Sequence, residues 1–271
     1  MQQIELSVII VNYNGLKYIK ECFDSLYAKL AGISFEIIVI DNNSTDDSCN
    51  YIRANYPEVV LLDSKINHGF GKGNNEAVKH AKGEILLLIN NDTILLDSLL
   101  PVFNFVKQNK DVGEVGIKML DGNRQYLPSV GKFPEFKSML ELKRMNAMGE
   151  EFRTGNFSKD KYEVDWIGGS LVFIPKAVYD SVGGFDKRYF MYVEDVDLSK
   201  EIADKGYKRI FMPGYSYIHF VGFNKSRNPM LIKGFRIYIS KHFAGFEKMK
   251  VLAALKVNEI VKTVKKTLKI D

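Results

Sequence analysis

The chain has 271 residues, an apolar fraction of 46% and a formal net charge of +5. That length suits one large domain or one and a half, and the apolar content is ample for a core. The basic residues are dispersed until the last stretch, which excludes the charge density of a nucleic-acid-binding surface.

Leu6 to Val11 is a continuous β-branched run, which predicts a strand buried on both faces. Leu16, Ile19, Phe23, Leu26 and Leu30 then step by three and four residues, as an amphipathic helix does. Phe35 to Ile40 is a second strand ending in Asp41, and Ser44 to Tyr56 reads as helical. Val59 to Leu62 is a third strand. Asn67 to Asn75 is glycine-rich and leads into a helix through Ala81. Glu84 to Ile89 is a fourth strand, ending in Asn90, Asn91 and Asp92. This alternation predicts an α/β fold with a mainly parallel sheet and helices on both faces. Its ligand loops gather at the C-terminal ends of the strands.

Asp121 to Glu163 shows no sustained period and reads as an insertion with a short helix near Phe136 to Met148. Order returns at Val164 to Ile174, followed by a helix from Pro175, where proline suits the first turn. Gly183 and Gly184 break that helix. Asp195 to Lys205 is helical again and stops at Gly206. From Phe246, an apolar stripe of Ala253, Val257, Ile260, Val261, Val264 and Leu268 faces away from Lys248, Lys250, Lys256, Lys262, Lys265, Lys266 and Lys269. Such a basic amphipathic helix has two uses: lying on an anionic membrane surface, or packing its stripe on the rest of the chain or in a homodimer. Cys22 and Cys49 sit outside metal or redox spacings and read as reduced thiols. No leader pattern opens the sequence, and its apolar runs fall short of the roughly 20 residues of a membrane span, so a cytoplasmic protein is expected.

Four polar clusters fall at or near strand ends: Asn12-Tyr13-Asn14, Asp41 to Asp46, Asn67 to Asn74, and Asn90-Asn91-Asp92. Turns need polar residues, but clusters after all the early strands converge on one crevice. Asp41 can accept a hydrogen bond from a pyrimidine ring N–H. The glycines let backbone approach a nucleotide, and Lys72 can offset phosphate charge. The glycine spacing matches neither a dinucleotide fingerprint nor a phosphate loop. Asp92 offers a hard oxygen to Mg²⁺ or Mn²⁺, or caps a helix. Further on, Glu194, Asp195 and Asp197 crowd three acids into four positions beside Phe190, Met191 and Tyr192. Such acids are solvated, metal-bound or used, or they complement a helix dipole. His219 is a metal ligand, a phosphate donor or a structural histidine.

Taken in order, Ser7 to Gly15, the Asp41-to-Asp46 turn and the Asn67-to-Asn74 loop resemble glycosyltransferase family two, with its GT-A fold. Gly183 to Leu198 is similar to the GGFDxxFFMYxEDxDL segment typical of its rhamnosyltransferase-like branch. The resemblance runs from about Ser7 to Ser226, and the ordered set is far more specific than any one motif. It implies a Rossmann-like GT-A domain. Residues 1–120 would form its nucleotide-sugar-binding half, 121–240 its acceptor-binding and catalytic half, and 241–271 the basic helix.

The resemblance also implies roles. Asp41 matches the nucleobase-contacting acid, within a donor set of Asn12, Asn14, Asn43, Asn67, Gly69, Lys72, Asn74 and Asn91. Asp92 matches the last acid of the DXD metal signature, with His219 as its companion on metal or diphosphate. Asp195 matches the catalytic base, with Glu194 beside it. Trp166, Gly169, Ser170 and Asp197 fall on the acceptor side. The DXD position reads Asn90-Asn91-Asp92, with one carboxylate instead of two, and Glu201 stands where many relatives carry arginine.

The implied activity is inverting, metal-dependent transfer of a sugar from a nucleoside diphosphate donor to a saccharide or lipid-linked acceptor in surface polysaccharide synthesis. The leading donor is dTDP-rhamnose, with UDP-activated hexoses or galactofuranose as alternatives. A nucleotidyltransferase is disfavoured, because Asn12-Tyr13-Asn14-Gly15 replaces its usual glycine- and arginine-rich loop. An inactive scaffold subunit is favoured by the reduced DXD motif and opposed by the Glu194-Asp195 pair.

Overall fold

A computed structural model of the chain describes residues 3–220 and 227–268. Its first part is the expected alternation: β1 (Leu6–Asn12), α1 (Leu16–Lys29), β2 (Phe35–Asn42), α2 (Ser48–Asn55), β3 (Val60–Ser64), α3 (Phe70–Val78) and β4 (Ile85–Asn90). Helix α2 starts later than its sequence pattern predicts. Asp41 Oδ2 accepts from the Ser44 backbone N–H and Asp46 Oδ1 from that of Ser48, so side chains hold 44–48 as a turn. Next come three elements that patterning left unassigned, β5 (Thr93–Leu95), α4 (Leu100–Gln108) and β6 (Val112–Leu120).

The insertion folds into short pieces: β7 (Tyr126–Leu127), β8 (Val130–Gly131), α5 (Phe136–Leu140), a 3₁₀ turn over Leu142–Asn146, α6 (Glu150–Thr154) and β9 (Tyr162–Glu163). Then follow β10 (Trp166–Ile167), β11 (Leu171–Pro175), α7 (Lys176–Ser181), α8 (Glu194–Asp204) and β12 (Lys208–His219). Two helices complete the chain, α9 (Arg227–His242) and α10 (Gly245–Leu268). Ser226, expected in a loop after His219, lies outside the described residues, as do the side chains of Lys265, Lys266, Leu268 and Lys269.

The sheet order is β3-β2-β1-β4-β11-β6-β12-β5, with β7 and β9 pairing off this path. Strands β3, β2, β1 and β4 are parallel; β11 runs antiparallel to both β4 and β6. Strand β12 joins β6 in parallel and β5 in antiparallel register, so strands from both sides of residue 120 share one sheet. Alternation along β1 fills both faces. Val8 and Ile10 pack with Phe23, Leu26 and Phe103, while Ile9 packs with Ile38, Leu88 and Phe185.

A third cluster joins α9 and α10 to the rest of the chain, through Met139, Trp166, Tyr189, Val196, Phe235, Tyr238 and Leu255. On α10 the packed face is Val251, Ala254, Leu255 and Asn258, and Asn258 Nδ2 donates to the Leu140 carbonyl at 2.6 Å. Val257, Ile260, Val261 and Val264, the stripe singled out from sequence, are about half exposed, at 48–51%. Among the described residues, no helix is long and apolar enough to cross a membrane.

Candidate active site

The ends of β1 and β2 are tied together by short polar side chains. Asn12 Nδ2 donates to Asp41 Oδ1 at 2.7 Å and to Ser48 Oγ at 2.9 Å. Ser44 Oγ also donates to Asp41 Oδ1, at 2.6 Å. Asp41 is thus almost wholly enclosed and acts as the hub of its turn. Asn14 adopts φ +50°, and its Oδ1 accepts from the Thr45 backbone N–H at 2.7 Å. Asn43, at φ +62°, is exposed, Tyr13 is 54% exposed, and Asn14 N donates to Ser44 Oγ at 2.8 Å. Asn91 Nδ2 closes the group by donating to Asn12 Oδ1 at 2.7 Å.

The glycine-rich loop has a different basis from the one expected. Asn67 Oδ1 accepts from Gly69 N at 2.8 Å, and Asn42 Nδ2 donates to the Gly69 carbonyl at 2.9 Å. Gly71 and Gly73 lie inside α3. A Cβ on Gly71 would stand 2.9 Å from Phe185 Cβ, and one on Gly73 would stand 3.2 Å from both Val11 methyls. A Cβ on Gly69 would collide with the Phe190 carbonyl oxygen. These glycines serve close packing of α3 on β1 and on the 185–190 segment. Asn74 is buried and donates to the Phe70 carbonyl, while Lys72 is half-buried on the same helix.

Asp92 and His219 come together from β-strand ends far apart in sequence. Asp92 Oδ1 lies 3.2 Å from His219 Nε2, and Asn90 Nδ2 lies 3.1 Å from the same nitrogen. Register puts His219 opposite Thr93, and Phe220 N donates to the Asp92 carbonyl. A carboxylate oxygen and an imidazole nitrogen face each other this closely only with a proton or a cation between them. Neighbouring ligands of an octahedral ion with bonds of about 2.1 Å sit about 3.0 Å apart, so this pair fits Mg²⁺ or Mn²⁺. Nδ1 of His219 is buried without a hydrogen-bond partner among the described residues.

The N-terminus of α8 sorts its two acids. Glu194 points inward, 4% exposed, with Oε2 unpaired among the described residues. Burial, then the neighbouring Asp195, pushes its carboxyl up to about 8. Asp195 is half-buried, and its Oδ2 accepts from Gly169 N at 3.1 Å. A Cβ on Gly169 would press on the Phe70 ring at 2.9 Å and approach Asp195 Cβ at 3.5 Å. Glu114, on β6 beneath them, escaped the sequence reading. It is fully enclosed, and burial pushes its carboxyl up to about 8, opposed by a hydrogen bond from Ser199. Its only signal was an acid in the middle of an apolar strand.

The other expected acceptor residues are engaged internally. Trp166 is 9% exposed, and its indole Nε1 donates to the Lys132 carbonyl at 2.9 Å. Ser170 Oγ pairs with Tyr217 Oη at 2.6 Å. Asp197 is 1% exposed and is filled by Lys241, His242 and Tyr189. Little of Trp166 or Asp197 is left to meet a ligand.

The family model for glycosyl transferase family 2 matches residues 7–157, more than half of the chain. The chain belongs to glycosyltransferase family 2. It is 24% identical over 246 residues to the N-acetylglucosaminyl-diphospho-decaprenol L-rhamnosyltransferase of Mycobacterium tuberculosis, covering 83% of this chain and 78% of that one. It is 26% identical over 257 residues to the rhamnosyltransferase WbbL of Escherichia coli, covering 91% and 94%. Among solved structures, the mannosyltransferase PcManGT of Pyrobaculum calidifontis, in complex with GDP-Man and Mn²⁺, superposes with a TM-score of 0.64 at 19% identity, covering 97% of this chain and 75% of that one. S. aureus TarS 1-349 with UDP-GlcNAc gives 0.62 at 20% identity, covering 98% and 76%. The fold is GT-A and the chain is a glycosyltransferase with rhamnosyltransferase homologues.

Proposed function

We propose that this enzyme transfers rhamnose, with inversion, from dTDP-rhamnose to a saccharide carried on a lipid. The observation that carries the mechanism is the sorting of Glu194, Glu114 and Asp195. The first two are buried acids that hold their protons at neutral pH. Asp195 stands half-exposed in the first turn of α8, with Oδ2 accepting from Gly169 N. It takes the proton from an acceptor hydroxyl as that oxygen attacks the anomeric carbon. The transition state develops oxocarbenium character, and no covalent sugar–enzyme adduct is needed. Asp92 and His219 would hold Mg²⁺ or Mn²⁺, whose positive charge would stabilise the leaving diphosphate. Asn12, Asn14, Asp41 and Asn43 shape the nucleoside end, with Lys72 toward the phosphates. Residues 1–120 thus serve the donor and 121–240 the acceptor.

Rhamnose as the sugar rests on the two rhamnosyltransferase relatives. A lipid-linked acceptor is supported by the name of the mycobacterial relative and by a cavity of about 210 Å³ beside the catalytic turn. Phe190, Met191, Met230 and Ile237 give it apolar walls, and Lys233 and Arg188 line it with positive charge. Transfer assays with dTDP-rhamnose, UDP-hexoses and UDP-galactofuranose, each with Mn²⁺ or Mg²⁺, test the reading. Turnover with dTDP-rhamnose alone is the expected result. Turnover only with a UDP-sugar overturns the donor, and none with any donor favours a scaffold subunit.

The exposed stripe of α10 supports a peripheral place on the cytoplasmic leaflet. Phe246, Met249, Val257, Ile260 and Val264 recur on one face, turned away from the face packed on α5 and α9. At 3.6 residues per turn, Lys250 and Lys256 flank this stripe about 60° to either side. Apolar surface edged by lysines matches an anionic interface.

A further inference from the structure

Helix α8 starts after two residues of unfavourable backbone. Tyr192 and Val193 have φ of +73° and +74°, in the left-handed region where a β-branched residue is an outlier. Their conformation sets the direction in which Glu194 and Asp195 leave the turn. Such strain persists only where the surroundings over-determine it.

Two sets of contacts do so here, and α9 contributes to both. The first is steric. A Cβ on Gly234 would stand 2.6 Å from the Tyr192 carbonyl oxygen and 2.9 Å from Val193 Cγ2, so α9 backs directly on the turn. The second is ionic. Asp197 N donates to the Val193 carbonyl at 2.9 Å, and the Asp197 carboxylate receives Lys241 Nζ at 2.7 Å, His242 Nε2 at 2.7 Å and Tyr189 Oη at 3.2 Å. Lys241 also reaches Glu201 at 2.9 Å and Asp186 at 3.4 Å. The residue types suit their places, with acids in the first turn of α8 and the Lys241 ammonium in the last turn of α9.

The carboxylates and imidazole of Asp197, Glu201 and His242 lie close enough to hold a metal ion. Lys241 Nζ already supplies the positive charge among them, so the cluster reads as a latch instead of a metal centre.

We infer that Asp197, His242 and Lys241 are positioning residues, which hold the strained Tyr192-Val193 turn and so aim Asp195 at the acceptor. This rests on Asp195 as the base. Among the described residues no hydrogen bond or ion pair runs from Asp197, Lys241 or His242 to the 12–14, 41–46 or 67–74 loops, so loosening the latch lowers the rate of transfer and leaves donor affinity in place.

The test uses full-length His242→Ala and His242→Gln. It reads kcat, the KM of donor and acceptor, donor affinity by calorimetry, and amide hydrogen exchange. His242→Ala should lower kcat by roughly the 10²-fold that misplacement of a catalytic group by about 1 Å costs, with donor affinity unchanged. It should also speed exchange at residues 194–197 and leave β1 unaffected. His242→Gln, which keeps a donor N–H, should recover most of the rate. Lys241→Gln gives the same two readouts should His242→Ala fail to fold. A folded variant with parental exchange at 194–197 and near-parental kcat overturns the latch. If the parent transfers no sugar, the base assignment fails, while unchanged exchange in the variant would still refute the latch by itself.

Discussion

Asp92 Oδ1 and His219 Nε2 stand 3.2 Å apart at the ends of two sheet strands that β5 brings into register. On the proposed function each would supply one ligand atom, and together they would offset the carboxylate missing at Asn90. Asp92→Ala and His219→Ala should each weaken Mn²⁺-dependent donor binding, and EDTA should abolish transfer by the parent. Isothermal titration with donor, with and without metal, checks this. Full activity in chelator would assign the diphosphate charge to Lys72 and His219 instead.

Asp195→Asn is nearly isosteric, retains the contact from Gly169 N and cannot accept a proton. Transfer should drop by roughly the 10²–10⁴-fold typical of a lost general base, while donor affinity persists. Steady-state kinetics beside calorimetry would show it. Near-normal turnover would remove Asp195 from the mechanism.

Burial raises Glu114 and Glu194 from a carboxyl's usual 4.5 to about 8. Between those values the native state keeps protons that the unfolded chain has lost. Stability is therefore greatest below about pH 4.5 as far as these two groups are concerned. It falls as pH rises towards 8, by at most about 1.4 kcal/mol per pH unit for each group. Denaturant melts from pH 5.5 to 8 should show the decline, and Glu114→Gln should make it shallower. An identical slope in that variant would mean that Glu114 is ionised in the folded protein.

The parallel strands β1, β2 and β4 were legible because strands covered on both faces read as unbroken apolar runs. Strand β6 was not, because Gly113, Glu114 and Gly116 interrupt its run. Those glycines are required by tertiary neighbours: a Cβ on Gly113 would meet Tyr207 Cβ at 2.6 Å, and one on Gly116 would collide with Ile167. Helix α9 mixes cations into its apolar pattern, and its purpose shows only when Lys241 and His242 meet Asp197. At the site, motif order singled out Asp92, Asp195 and His219, and the fold brings the first and last together. It did not reveal that Trp166 is spent on the Lys132 carbonyl and Asp197 on α9, because those partners lie far off in sequence.

The stripe of α10 yields a prediction that leaves the fold intact, because its residues are exposed on the opposite side from Val251 and Leu255. Ile260→Glu with Val264→Glu removes apolar surface and adds two negative charges without touching the packed face. The parent should float with vesicles containing anionic phospholipid. Each lysine near such a surface contributes about 1 kcal/mol, and the binding should weaken as salt shortens the screening length. The double variant should remain in the soluble fraction, with unchanged thermal stability and unchanged transfer to a water-soluble acceptor. Sedimentation velocity separates the other use of the stripe. A parent that fails to float at low salt but dimerises, with a monomeric double variant, would make α10 a subunit interface.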